Sequence, residues 1–194
     1  AHFPKAGTDL QLLERGKTPA HRRLAFEEFL LLQLALATRH RSVIDEPKAL
    51  RFNPRTSLLE QLGRLLPFRL TTAQDRVIRE IFQDMISPRP MNRLVQGDVG
   101  SGKTAVALHA LVMACGSGYQ AALMAPTEIL AEQHYRNLSG TLQALGLHTT
   151  LVRGGDKASV KKIQAEQLAS GEVHVAIGTH ALIQQGVRFK NLGL

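Results

Sequence analysis

Gly97-Asp98-Val99-Gly100-Ser101-Gly102-Lys103-Thr104 satisfies the pattern G-x-x-x-x-G-K-[ST], preceded by Arg93-Leu94-Val95-Gln96 and followed by an apolar helical pattern over 103–115. The spacing predicts a strand, a loop and a helix in that order. Gly97, Gly100 and Gly102 let the backbone turn tightly and bring its N–H groups close to phosphate oxygens. The helix beginning at Lys103 adds about half a positive charge at its N-terminus. Lys103 would then neutralise the β- and γ-phosphates of a nucleoside triphosphate, and Thr104 would offer its hydroxyl to Mg²⁺. Gly97, Asp98, Val99, Gly100, Ser101, Gly102, Lys103 and Thr104 are thus the candidate nucleotide-binding residues, with Lys103 and Thr104 nearest the chemistry. An ordinary glycine-rich turn would require neither the full pattern nor its flanking strand and helix.

Outward from this loop the chain alternates. Downstream, strands are predicted at 121–125, 149–152 and 173–177, separated by helices at 127–138 and 160–169. Upstream, Val77, Ile78, Ile81, Phe82, Met85 and Ile86 recur at helical spacing behind a Thr72/Asp75 cap. Alternation of this kind implies an α/β fold, a mostly parallel sheet with helices on both faces, and ligands beyond the carboxyl ends of the strands. Further upstream, Ser57 and Glu60 are spaced as a capping box for a short helix ending before Pro67. Residues 1–55 read as a helical linker distinct from 56–194, with a boundary near Asn53-Pro54. There Thr18-Pro19 starts a helix whose Leu24, Phe26, Phe29, Leu30, Leu32, Leu34 and Leu36 make it apolar around most of its circumference. Such a helix should be sandwiched between two bodies.

With 194 residues, 44% of them apolar and 21% charged, the chain can build a core, and intrinsic disorder is excluded. Lys plus Arg number 24 against 16 Asp plus Glu, a net charge of +8, which favours a polyanionic partner such as nucleic acid. A single cysteine, Cys115, rules out an intramolecular disulfide and suits a reducing cytoplasm. No stretch is apolar for long enough to span a membrane, so a cytoplasmic protein with no membrane partner is expected.

Hydrolysis asks for more than a phosphate loop: an acid for the metal on a second strand, a group that orients water, and usually an arginine finger. After Thr104 the acids are Glu128, Glu132, Asp156, Glu166 and Glu172, and none ends a buried-strand pattern. Val43-Ile44-Asp45-Glu46 imitates such a site, but it precedes the loop and runs into Pro47, as a solvated loop would. A lone His134 or His180 has no companion at metal-ligand spacing. Glu128 is expected to cap a helix or steady a neighbouring loop, His134 to face solvent or a neighbouring domain, Lys161-Lys162 to be a solvated helix face, and Arg153-Gly154-Gly155 to be a turn or a close approach to nucleic acid.

Four stretches taken together resemble successive motifs of the superfamily 2 DNA helicases: 66–74 (LPFRLTTAQ), 93–104, 125–134 (APTEILAEQH) and 178–182 (GTHAL). The segment 19–28 (PAHRRLAFEE) is similar to the linker that joins a fork-binding wedge domain to the motor in one branch of them, so the resemblance covers nearly the whole chain. It implies the N-terminal RecA-like domain of a P-loop NTPase, in a parent enzyme that uses ATP and Mg²⁺ to remodel forked or branched duplex DNA. It implies that Gln74, with Leu70 and Thr71 beside it, reads the adenine edge, for which an amide has both donor and acceptor. The bland reading of Gln74 is a polar residue at a helix start. Thr127, Thr179 and His180 match positions at or near the phosphates of a DNA strand; helix capping is the alternative for the threonines. In these motors the segment resembling 189–194 leads into a strand ending in Asp-Glu-x-His, and a wedge and a second motor domain complete the enzyme. A fragment not catalytically competent by itself is therefore expected. Rival readings are the motor of a transcription-repair coupling translocase, a nucleotide kinase, which would need a lid and acceptor pocket where 121–133 offers a strand and helix, and a noncatalytic DNA-binding module.

Overall fold

Three short parallel strands organise the larger part of the chain, in the order β1-β3-β2. The computed structural model describes residues 10–44, 50–183 and 186–194. These contain α1 (Leu10–Glu14), α2 (Pro19–Ile44), α3 (Ser57–Leu65), α4 (Thr72–Ile86), α5 (Lys103–Gly116), β1 (Ala121–Met124), α6 (Glu128–Ala144), β2 (Thr149–Val152), α7 (Ala158–Ser170), β3 (Val175–Gly178) and a 3₁₀ turn (His180–Ile183). The chain divides into two compact units, Ala1–Pro47 and Lys48–Leu194. In the first, the Thr18 hydroxyl accepts from the His21 amide, which caps α2 at the expected place. The apolar residues of α2 stand exposed, Phe29 at 64% and Leu32 at 53%, and among the described residues nothing within that unit covers them.

In the second unit β3 is the central strand and is buried along its whole length. Its alternation divides the interior in two. Val175 and Ile177 face the main core, built on α3, α4, α5 and α6 with Leu62, Met85, Leu111, Met113 and Leu142 at its centre. Ala176 faces a smaller core of Val152, Leu168, Val173, Ala181 and Leu182 on the α7 side. The crossovers explain the two layers: β1 to β2 runs two places across the sheet through α6, β2 to β3 runs one place back through α7, and right-handed connections then put the helices on opposite faces. Helix α5 is buried on nearly every side, from Val106 to Cys115. Burial pushes the Cys115 thiol up to about 12, so it packs as a small apolar group.

Several local expectations are corrected. Residues 93–96 form no strand, because a strand needs a ladder partner and the outer edge of β1 is taken by the C-terminal residues. Gln120 donates to the Asn191 carbonyl, Gly193 to that of Gln120 and Ala122 to that of Leu194, each at 2.8 Å. Thr56, not Ser57, precedes α3, and no Ser57/Glu60 box forms; the Thr56 hydroxyl is buried against Gly116 with no partner among the described residues. Helix α4 is capped one residue earlier than expected, by Thr71 with Gln74; Asp75 instead meets Arg79 at 2.6 Å. Val43 and Ile44 finish α2 and are not a loop, whereas Asp45 and Glu46 lie outside the described residues.

Candidate nucleotide-binding loop and nucleic-acid face

The loop 97–104 is shaped by two glycines in the left-handed region, Gly100 and Gly102, both at φ 82°. Gly102 is the residue before α5, so the turn that ends the loop is also the turn that starts the helix and frees its first amides. A Cβ at Gly97 would lie 2.7 Å from the Ser101 hydroxyl, and one at Gly102 would overlap the Gln74 amide nitrogen. Both positions therefore need glycine for space as well as for turning. The Lys103 ammonium folds back into the loop and donates to the carbonyls of Gly97 at 2.6 Å and Asp98 at 2.8 Å. Those carbonyls hold the charge where an anion entering the loop would meet it. Asp98, Val99, Gly100 and Ser101 are exposed, and Thr104 is half-buried on the first turn of α5. Open amides, a helix N-terminus, an ammonium and a hydroxyl on one loop fit a triphosphate and its divalent cation.

Gln74 is tied to this loop from the side. Its amide oxygen accepts from the Thr71 N–H at 2.9 Å, its backbone N–H donates to the Thr71 hydroxyl at 3.2 Å, and its amide nitrogen donates to the Ser101 carbonyl at 2.8 Å. Capping and contact with the loop are thus done by one side chain, and Leu70 packs against the main core beneath them. The two readings of Gln74 from sequence are compatible in space, since the first turn of α4, to which it belongs, sits against the phosphate loop.

A second cluster forms where the three strands end together. Met124 and Val152 both lie beside Gly178 in register, and the Ala125 amide donates to the Gly178 carbonyl at 2.8 Å. Thr127 is exposed and caps α6, its hydroxyl accepting from the Leu130 amide at 3.3 Å. Thr179 is 3% exposed, and its hydroxyl accepts from the Ala181 amide at 3.4 Å, so the side chain holds the 3₁₀ turn while His180 beside it is exposed. At the end of β2, Arg153 pairs with Asp156 at 3.1 Å. Glu128 reaches across from α6 to the Gly155 amide at 3.4 Å, and Lys161 donates to the Gly154 carbonyl at 2.7 Å. Lys161 and Lys162 are both exposed, as expected of a solvated helix face, and Lys161 in addition binds this turn. His134 is half-buried, and its Nδ1 is buried with no partner among the described residues.

Sequence reading missed Arg93, whose guanidinium bridges Glu80 and Asp84 on α4 just ahead of the loop. Its signal was the i, i+4 spacing of those two acids. No cluster of three metal-ligating side chains occurs among the described residues, and no described helix is long and apolar enough to cross a membrane.

Residues 71–194 match the DEAD/DEAH box helicase family model. The whole chain is 48% identical, over 193 residues, to the ATP-dependent DNA helicase RecG of Synechocystis sp., of which it spans 22%. The structure of RecG bound to a three-way DNA junction superposes with a TM-score of 0.71 at 43% identity over 88% of this chain and 23% of that one. A hypothetical ATP-dependent RNA helicase from Sulfolobus tokodaii, at 21% identity and TM-score 0.51 over 68% of this chain and 37% of that one, shares the fold.

Proposed function

The chain belongs to the DEAD/DEAH box helicase family, and from that premise we propose that it is the ATP-binding part of a RecG-type DNA helicase. The parent enzyme couples ATP hydrolysis to movement on duplex DNA and remodels stalled forks and other branched junctions. Similarity to RecG along the entire chain supports this reading over a transcription-repair translocase, a nucleotide kinase or a noncatalytic module. The observation that carries it is the loop 97–104, with Lys103 turned into it and Gln74 bound to Ser101.

Magnesium-bound ATP supplies the energy-yielding bond, and this chain's residues bind and orient it. Lys103, now on the Gly97 and Asp98 carbonyls, would neutralise phosphate oxygens. Thr104 would offer its hydroxyl to the cation, and the amides of 98–104 would face the phosphate charge. Gln74, against the loop at Ser101, would read the adenine edge with its amide. Thr127, Thr179 and His180 line the strand ends where a DNA backbone passes: Thr127 and His180 offer exposed polar groups, and the buried Thr179 fixes the turn that presents His180. In a parent of the proposed kind, an Asp-Glu acid pair, an arginine finger, a wedge and a second motor domain would complete the machinery. Unwinding of a three-way junction by the full-length protein, with and without Lys103→Ala, tests the reading. Loss of unwinding with DNA binding retained is expected; unchanged unwinding would refute it.

A further inference from the structure

Among the described residues, 88–97 make no backbone–backbone hydrogen bond, so the segment that brings the chain to Gly97 is held by its side chains. Met91 and Val95 pack against the main core, whereas Arg93 and Leu94 are exposed. The Arg93 guanidinium is paired nonetheless: Glu80 and Asp84, one helical turn apart on α4, lie 2.7 Å from its Nη1 and 2.5 Å from its Nε. The start of the same helix meets the loop again through Gln74 and Ser101. Helix α4 thereby holds the phosphate loop at two points, one four residues before Gly97 and one on its crest.

We propose that Arg93, clamped by Glu80 and Asp84, is a positioning residue for nucleotide binding, setting the segment 91–97 so that the amides of 97–104 converge on a triphosphate. The proposal rests on the reading of 97–104 as the triphosphate site. Lysine would not replace it, since one ammonium lacks the rigid fork that spans two carboxylates. Because the clamp orders the loop and touches no phosphate, its loss should weaken affinity and leave turnover at saturation nearly unchanged.

The test uses the full-length protein containing this chain, titrated with a magnesium-bound nonhydrolysable ATP analogue, with amide hydrogen exchange of the nucleotide-free protein as the second readout. Arg93→Ala is expected to weaken analogue binding about tenfold and to speed exchange over 91–101 while β1, β2 and β3 exchange as in the unaltered protein. Arg93→Lys recovers part of the affinity. Should Arg93→Ala not fold, the isosteric Asp84→Asn carries the test, with a smaller loss in the same direction; where both fold, Asp84→Asn adds nothing further in the Arg93→Ala background. Folded Arg93→Ala or Asp84→Asn protein that binds the analogue like the unaltered protein, or faster exchange spread evenly over the chain, overturns the proposal. Lys103→Ala separates the two failures. If it too binds normally, the reading of the site falls; if it alone abolishes binding, only the positioning role falls.

Discussion

One amide at Gln74 caps a helix and holds the phosphate loop, so a change at Gly102 should be felt at both. Gly102→Ala forces a left-handed φ of 82° on a residue with a Cβ and pushes that Cβ into Gln74. We expect a loss of about 1–3 kcal/mol in stability with weakened nucleotide affinity, read by thermal melting and titration. His174 sets a pH dependence. Burial first, and the nearby His148 second, hold it below its ordinary 6.5, and its Nδ1 accepts from the His148 amide at 3.1 Å. A folded-state value below the unfolded one means that the unfolded chain takes up the proton first, so the stabilising contribution is full above about pH 6.5 and is lost as pH falls through the folded value. Denaturant melts at pH 7 and pH 5 should show a larger drop for the unaltered protein than for His174→Gln; equal drops would remove His174 as the cause. The glycine, lysine and threonine of the loop were legible in the sequence because their chemistry is local to eight residues. Arg93 and the burial of Thr179 were not, because their partners or cover come from elements distant in the chain.

Among the elements, β2 was read from sequence at its observed bounds, and α5 to within a residue, because β-branched runs and apolar helices announce themselves. The segment 93–96 carried the same kind of pattern and failed to become a strand, since pairing depends on what lies alongside. Helix starts slipped by one residue at α3 and α4, where two hydroxyl residues stand side by side: Thr71 caps α4 through its side chain, whereas Thr56 precedes α3 without a side-chain cap. Gln120 shows what pattern reading overlooks. It is 4% exposed, its amide nitrogen donates to the carbonyls of Leu168 and Val173, and its oxygen accepts from the Asn191 amide, joining the start of β1, the end of α7 and the C-terminal residues. Gln120→Leu would leave the Val173 carbonyl and the Asn191 amide unpaired, while the Leu168 carbonyl keeps the amides of Gly171 and Lys190; a loss of about 3 kcal/mol in chemical denaturation is expected, and a loss within 0.5 kcal/mol of zero, the usual range for surface substitutions, would show that the junction is not needed.

For the molecule as a whole, a net charge of +8 and strand ends lined by polar loops agree with a polyanionic partner. DNA affinity of the full-length protein should fall with salt at a log–log slope of about −0.9 per phosphate neutralised, and a flat response would argue against backbone contacts. The chain spans 22% of the Synechocystis relative. Residues 1–194 alone are expected to give no DNA-stimulated ATP turnover, and robust turnover by them would contradict the reading of this segment as the nucleotide-binding part of a larger motor. The most direct measurement is calorimetry of the full-length protein with magnesium and a nonhydrolysable ATP analogue, beside Lys103→Ala. Saturable heat that disappears in the variant is the result the account requires. No heat at millimolar ligand on well-folded protein, or identical heats for both, would contradict it.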